Sequence, residues 1–420
     1  MIAPENRPLR VALPISSFLP ARGGAEIGLH NIASRLAALG HEPVVITSHT
    51  HARALKKTNW KLPYAVVAYP PRLLTLRGRG SRLARLLLKA FHSRLQRRFR
   101  FDVWHATFGF PVGVSVIEFC RERGIAHLVR CVGDDIQVKE EIGYGMRRDP
   151  AVDAEVRRWL PKAQCLVAIT ASVAEEYSKL GIAEDIIERI PNGVDVRRFT
   201  ARETNAALRR SLGLAPGVIL FLSFGRFHPK KNLGQLIEAA ALLRPRRDKD
   251  FHVLIAGKGV SDLEAERDRN EAGACVSLME PAQAAQADDR VVELPDDEAV
   301  GLYKAADVFV MPSIVETFGI VTVEAMAAGL AIIAANSPGS RDVIRGGRDG
   351  LIYDGTAAGL AAAMEKMMDA SIRKSWSAKS LGRAREFDWD KVVGEYVKTY
   401  RRLIAECRAG AYAAGEAGTA

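Results

Sequence analysis

The sequence predicts an α/β protein made of two doubly wound domains facing each other across a cleft. Its 420 residues are about two to three times the length of a usual single domain. Short apolar runs alternate with helical stretches, and strand-then-helix repetition calls for a parallel sheet covered on both faces. The alternation also pauses after "IPNGVDVRRF" (190–199) and restarts at "VILFLSFGRF" (218–227). The expected division is a first Rossmann-like domain over 1–195, a second over 196–385, a C-terminal helix over 386–406 and a flexible small-residue tail over 407–420. Ligands of such folds sit outside the carboxyl ends of the strands, so the site is expected in the cleft.

Taken in order, "LRVALPI" reads as the first strand. "AEIGLHNIASRLAAL" follows as a helix, with Leu29, Ile32, Leu36 and Leu39 at helical spacing and Gly40 placed for a left-handed C-terminal cap. "PVVITS" closes a βαβ unit, and "FDVWHAT", "AHLVRCV" and "CLVAIT" continue the first sheet. In the second half, "FHVLIAG", "RVVELP", "DVFVMPS" and "LAIIAAN" read as strands. Helices are expected to begin near Lys231, Asp262, Asp297, Gly319 and Ser340. "FDWDKVVGEYVKTYRRLIAE" is amphipathic, with Val392, Val393, Tyr396, Tyr400 and Leu403 on one side.

Composition narrows the function classes. Apolar residues at 48% and charged residues at 26% suit two ordinary cores, and no apolar run approaches the ~18 residues of a membrane span. The N-terminal run is broken by Pro14 and lacks a signal-peptide core, so a cytoplasmic location is expected. Cys120, Cys131, Cys165, Cys275 and Cys407 have neither zinc-ligand nor disulfide-framework spacing and are expected to be reduced and mostly buried. Asp134-Asp135 and Asp296-Asp297-Glu298 read as solvated turns or helix starts, and no metal site is expected. The net charge is +11, and no acid lies between Glu42 and Asp102, where basic residues gather. No aromatic platform is interleaved with them, so nucleic acid is not an expected partner.

The most informative stretch is "ETFGIVTVEAMAAGLAIIAAN" (316–336). If a helix starts near Gly319, its first-turn amides are unsatisfied and carry the positive end of the dipole, which suits an anion. Glu316 precedes that turn, and Glu324 lies about 7–8 Å further along the axis. A carboxylate repels phosphate but accepts hydrogen bonds from hydroxyls. A ligand with hydroxyls at both ends and a diphosphate between them fits, with Glu324 on a ribose and Glu316 on a sugar. The plainer reading leaves Glu316 as a dipole partner and Glu324 facing water. "FGRFHPKKN" adds Arg226 and Lys231 as cations for a diphosphate, and "ARGGAE" offers Gly23 and Gly24 before a helix.

Together, "GGAEIGLHNIASRLAALGHEP", "IPNGVDVRRF", "GRFHPKKNL", "IAGKG", "YKAADVFVMPSIVETFGIVTVEAMAAGLAIIAANSPGSRDVI" and "FDWDKVVGEYVKTY" resemble the retaining GT-B glycosyltransferases over nearly the whole chain. The E-x7-E signature, Glu316 to Glu324, is the most specific part. The resemblance implies transfer of a sugar from a UDP- or GDP-sugar to a glycan, a lipid-linked acceptor or a small molecule, without metal or other cofactor. It implies that Arg226 and Lys231 bind the diphosphate, Glu324 the ribose and Glu316 the sugar beside the anomeric carbon. Phe318, Gly319 and Ile320 would supply backbone contacts, Gly24 would border the phosphates, and the C-terminal helix would brace the first domain. Val132 stands where relatives carry a sugar-contacting histidine, with His105 as a candidate catalytic substitute, and Asp342 stands where relatives often carry Glu.

"GGAEIG" is not G-x-G-x-x-G, and "PVVITS" ends without an acid, which argues against a dehydrogenase. A sugar-nucleotide epimerase, a phosphorylase and a non-catalytic nucleotide-sugar-binding subunit share the architecture and stay open. Segment 81–100 pairs Leu83, Leu86, Leu87, Phe91, Leu95 and Phe99 with many arginines. Its two readings are a helix packed on the first domain and a peripheral contact with anionic membrane at the inner face.

Overall fold

The computed structural model describes residues 7–201, 204–247, 250–280 and 291–410. It divides into two compact units. Within those residues, unit 1 holds 7–192, 291–294 and 389–410, and unit 2 holds 193–280 and 295–388.

Unit 1 is built on seven parallel strands: β1 (Arg10–Pro14), β2 (Glu42–Thr47), β3 (Ala65–Ala68), β4 (Val103–Thr107), β5 (Ala126–Cys131), β6 (Leu166–Ala168) and β7 (Ile187–Arg189). Their order is β3-β2-β1-β4-β5-β6-β7. Central strands β4 and β5 are buried at every position, polar His105, Thr107, His127 and Arg130 included. Edge strands β3 and β7 are short and half-exposed, and the sequence showed neither. Helix α1 (Gly24–Ala38) buries Leu29, Ile32, Ala33 and Leu36, and Gly40 takes a φ of +81° just beyond it. Trp104 on β4 is fully buried between Phe101, Phe119 and His92, and its indole N–H donates to Gln96 Oε1 at 2.8 Å.

Helix α2 (Arg82–Phe99) packs on unit 1 along one side, as the first reading of segment 81–100 expected. Ala84, Leu88, His92 and Leu95 are buried, and Arg85 and Lys89 pair with the buried carboxylate of Glu118. Leu83, Leu86 and Leu87 face outward.

Unit 2 has six parallel strands: β8 (Ile219–Phe224), β9 (Phe251–Ala256), β10 (Val276–Met279), β11 (Val308–Met311), β12 (Ala331–Ala335) and β13 (Leu351–Tyr353). Their order is β10-β9-β8-β11-β12-β13. Helices α3 (Leu233–Arg247), α4 (Asp297–Ala305) and α5 (Ile320–Ala327) begin within two residues of their expected starts.

One strand expectation fails. "RVVELP" is not in this sheet: Val291 forms an isolated bridge with Lys61, and Val292 and Leu294 accept hydrogen bonds from His30 and Asn31 of α1 or lie within bonding distance of them. Those residues belong to unit 1, Arg290 lies outside the described residues, and the edge is filled by Val276–Met279. An apolar run signals burial without naming the neighbour it is buried against.

The C-terminal helix α6 (Trp389–Arg408) buries Val392, Val393, Tyr396, Tyr400 and Leu403 against α1, β4 and β5 of unit 1. It runs on through Cys407 and Arg408, past its expected end, while 411–420 of the expected tail lie outside the described residues. Arg35 pairs with Asp390 at 3.2 Å, and Gln164 donates to the Leu403 carbonyl at 3.0 Å. All five cysteines are free, four of them buried.

Replacing Trp104 by Ala empties the centre of the unit 1 core. We expect it to destabilise that unit by about 3–5 kcal/mol, read as a lowered denaturant midpoint.

Candidate functional site

In unit 2 the strand order reverses direction between β8 and β11. Helix α3 follows β8 on one side and α5 follows β11 on the other, so the connections leave these neighbours in opposite senses and open a crevice at their carboxyl ends. The two loops that border it carry the expected residues. The β8 loop holds Arg226 and Lys231, and the β11 loop holds Glu316, Phe318 and Gly319. Ile314 N–H donates to the Lys230 carbonyl at 2.9 Å and ties the loops together. Lys231 Nζ donates to Glu316 Oε2 at 2.6 Å, with both side chains largely buried.

Glu316 is held from several directions. Its Oε1 accepts the Thr317 amide at 3.1 Å, and its own carbonyl accepts the Gly339 N–H at 3.1 Å. A Cβ on Gly339 would collide with that carbonyl, so the approach needs glycine. Burial pushes the Glu316 carboxyl up, but Lys231 and Lys230, with the hydrogen bonds from Lys231 and Thr317, outweigh it and hold the group below its ordinary range. It is an anion at neutral pH.

Gly319 precedes α5 in a left-handed conformation, φ +77°, which a side chain rarely tolerates. No side chain caps this helix, and the first-turn amides of Ile320 and Val321 have no intrahelical acceptor. Phe318 turns its ring inward against Phe387, edge to face at 5.5 Å, so only its backbone can serve a ligand.

Glu324, on the buried side of α5, accepts the Tyr303 hydroxyl at 2.7 Å. Burial drives its pKa up to about 7, the Tyr303 hydrogen bond opposes that, and the charge of Asp296 adds to it. Tyr303 was not foreseen as a site residue: it lies on α4, distant in sequence, and no local spacing links it to Glu324. Arg226 is exposed, and no ion pair among the described residues engages its guanidinium.

The acidic clusters serve structural ends. Asp296 caps α4 by accepting Ala299 N–H at 2.9 Å, and Asp297 pairs with Arg198 at 2.6 Å. Asp135 is buried and accepts the amides of Gly109, Val132 and Gly133, fixing the loop in which Val132 stands. Among the described residues no group of three or more His, Cys, Asp or Glu side chains is placed to hold a metal.

In unit 1, Gly23 and Gly24 are exposed at the start of α1. Glu26 in the first turn is buried, accepts the Ser17 hydroxyl and lies against Gly23. His105 is not at a surface. It is fully buried under α6, its Nδ1 lies 2.6 Å from the Tyr400 hydroxyl, and its ring stacks on Tyr396. Burial, then the charge of Arg130, drives its pKa well below the ordinary value. An enclosed neutral imidazole cannot touch a sugar, so the packed alternative describes this residue.

Two doubly wound parallel-sheet units, one with carboxylates and cations gathered at its switch point, define the GT-B class of fold. The family model for glycosyl transferases group 1 matches residues 204–380, and that for glycosyltransferase family 4 matches 22–198. The D-inositol 3-phosphate glycosyltransferase of Pseudarthrobacter chlorophenolicus is 30% identical, over 91% of each chain. The protein of the same name from Geodermatophilus obscurus is 34% identical over 74% of this chain and 68% of its own. Among solved structures, sucrose-phosphate synthase of Thermosynechococcus elongatus superposes with a TM-score of 0.74 at 19% identity, covering 94% of this chain and 99% of that one. Anabaena HepE in complex with UDP and glucose gives 0.71 at 18%, covering 94% and 100%. The chain belongs to the group 1 glycosyltransferases.

The Glu324 carboxyl has a folded pKa near 7 against 4.5 for a free glutamate. Its contribution to stability is therefore complete below about pH 4.5 and lost as pH rises through about 7. Glu324→Gln removes that loss. The ligand-free variant is expected to gain stability over the wild type between pH 5 and pH 8, by up to about 3 kcal/mol. Melting curves at both pH values check it, and a pH-independent difference would count against the raised pKa.

Proposed function

We propose that this chain transfers a sugar from a nucleoside diphosphate sugar to an acceptor hydroxyl with retention of anomeric configuration. The observation that carries the reading is the meeting of Lys231 and Glu316 at the β8/β11 switch point, with Arg226 exposed on the same β8 loop and Glu324 buried one helix turn into α5. The ammonium of Lys231 keeps two donors after its bond to Glu316, and the guanidinium of Arg226 offers a planar fork. Both suit a diphosphate, and the amides at the start of α5 extend the same field. As the anomeric carbon–oxygen bond breaks, negative charge grows on the leaving phosphate oxygen. These groups stabilise it in the part a metal would otherwise play.

Glu316, ionised beside the anomeric carbon, accepts a sugar hydroxyl and favours the positive charge developing on the ring. Glu324 accepts the ribose hydroxyls, and Tyr303 fixes its orientation. Phe318, Gly319 and Ile320 present backbone to the donor. The acceptor oxygen attacks the face the nucleotide leaves, and its proton passes to the departing phosphate oxygen. Relatives with inositol 3-phosphate in their names make a polyol acceptor one member of the expected class, and a structural relative solved with UDP supports a uridine donor.

A second contact belongs to the same reading. On and beside α2, Leu83 (66% exposed), Leu86 (64%), Leu87 (49%) and Leu76 (44%) stand out among exposed Arg79, Arg82, Arg94, Arg97 and Arg98. Apolar side chains flanked by cations match the boundary of an anionic bilayer, where a lipid-linked acceptor would lie. No helix among the described residues is long and apolar enough to cross a membrane.

Three variants test the transfer. Lys231→Ala and Glu324→Ala should each weaken donor binding about 10- to 100-fold, as expected for losing a charge-assisted contact. Glu316→Gln should lower kcat about 100-fold with a smaller change in donor affinity. Calorimetry with a panel of nucleotide sugars and transfer kinetics decide the matter, and unchanged values in all three refute the assignment. For the membrane, Leu83→Ser combined with Leu86→Ser and Leu87→Ser should abolish co-sedimentation with phosphatidylglycerol vesicles at low salt. Absence of binding by the wild type refutes that contact.

A further inference from the structure

Arg130, the penultimate residue of β5, is fully buried, and none of its three guanidinium nitrogens makes a well-formed hydrogen bond, although the Tyr396 hydroxyl lies close enough to interact with it. A guanidinium stays charged at any working pH, and a buried unpaired charge costs several kcal/mol unless something compensates it. Among the described residues no carboxylate forms a salt bridge with it.

Its surroundings hold further unpartnered atoms. Strand register sets Thr107 directly beside Arg130, so both side chains leave the same face of the sheet, and His105 shares that face two residues earlier. Helix α6 covers this face with Trp389, Tyr396 and Tyr400. Thr107 Oγ1, His105 Nε2, the Tyr396 hydroxyl and Asn192 Oδ1 are all buried without a well-formed hydrogen bond. Gly28 of α1 closes the chamber: a Cβ built there would stand 3.1 Å from Arg130 Nη2 and 3.5 Å from Asn192 Oδ1. His105 Nδ1 shares a hydrogen bond with the Tyr400 hydroxyl, which leaves Nε2 as its unpaired ring nitrogen. The chamber therefore gathers one fixed positive charge with the hydroxyls of Thr107 and Tyr396, the His105 Nε2 and the Asn192 Oδ1, and no negative charge.

We propose that this chamber binds one small inorganic monovalent anion of the chloride class. One negative charge balances the one guanidinium, and the hydroxyls of Thr107 and Tyr396 can turn their protons toward it. Asn192 and Trp389 stand at two of the points where the chain passes between the units. The anion therefore holds α6 and these two points to the sheet. This inference does not depend on the transfer reading above.

The test uses the full chain. Thermal melting at fixed ionic strength, with chloride exchanged for bulky gluconate, should show wild-type Tm higher by about 2 °C or more at about 500 mM chloride than at about 10 mM. Crystals grown in bromide should show an anomalous peak beside the Arg130 guanidinium. Thr107→Val and Tyr396→Phe, which each remove one donor and keep the charge, should shrink the Tm response, and Arg130→Met should abolish it. If Arg130→Met does not fold, the two milder variants and the bromide peak carry the test. A wild-type Tm indifferent to the anion together with no bromide peak overturns the proposal, as does a response of equal size in the variants.

Discussion

The ion pair between Lys231 and Glu316 is the interaction on which the rest of the unit 2 site depends. It joins the loops after β8 and β11, the two strands between which the sheet changes direction, at the place where a doubly wound fold leaves room for a ligand. Neither charge would be tolerated there alone, because removing one partner of a buried pair leaves the other desolvated and unmatched. The Thr317 amide on Glu316, the bond from Ile314 to Lys230 and the close approach of Gly339 then fix the carboxylate in space. A site assembled this way is organised before any substrate arrives, which is what charge stabilisation of a reaction requires.

The same helix start gives its two glutamates opposite characters. Glu316 meets cations and an amide and stays ionised. Glu324, eight residues on, meets a tyrosine hydroxyl and apolar packing, and burial holds its carboxyl near pH 7. Environments that push paired carboxyls apart assign them different work. One is a permanent negative charge, and the other is a hydrogen-bonding group whose charge depends on what it is bound to.

Much of this was legible in the chain because the signals are local. Strand runs, the Gly40 cap, the helix starts in unit 2 and the placing of Arg226, Lys231 and Glu316 on the loops after β8 and β11 follow from spacing and from the chemistry of glycine at a helix start. What escaped was set by tertiary packing. Tyr303 reaches Glu324 from another helix, "RVVELP" is buried against α1 instead of joining the second sheet, and the short edge strands carry no periodic signal. His105 looked available at a strand end, but the helix that covers it lies almost three hundred residues away in sequence (|i−j| = 295 for Tyr400).

The switch point of unit 1 follows a different electrostatic rule. There the first turn of α1 already has its own carboxylate, since Glu26 is buried, bonded to Ser17 and set against Gly23. The loop after β5 is likewise closed by an acid, with Asp135 taking three amides for itself. Amides satisfied internally have little left for a phosphate, and a neighbouring carboxylate repels one. In unit 2 the corresponding loops instead carry Arg226, whose guanidinium is exposed and outside any ion pair among the described residues, and Lys231, whose ammonium is shared with Glu316.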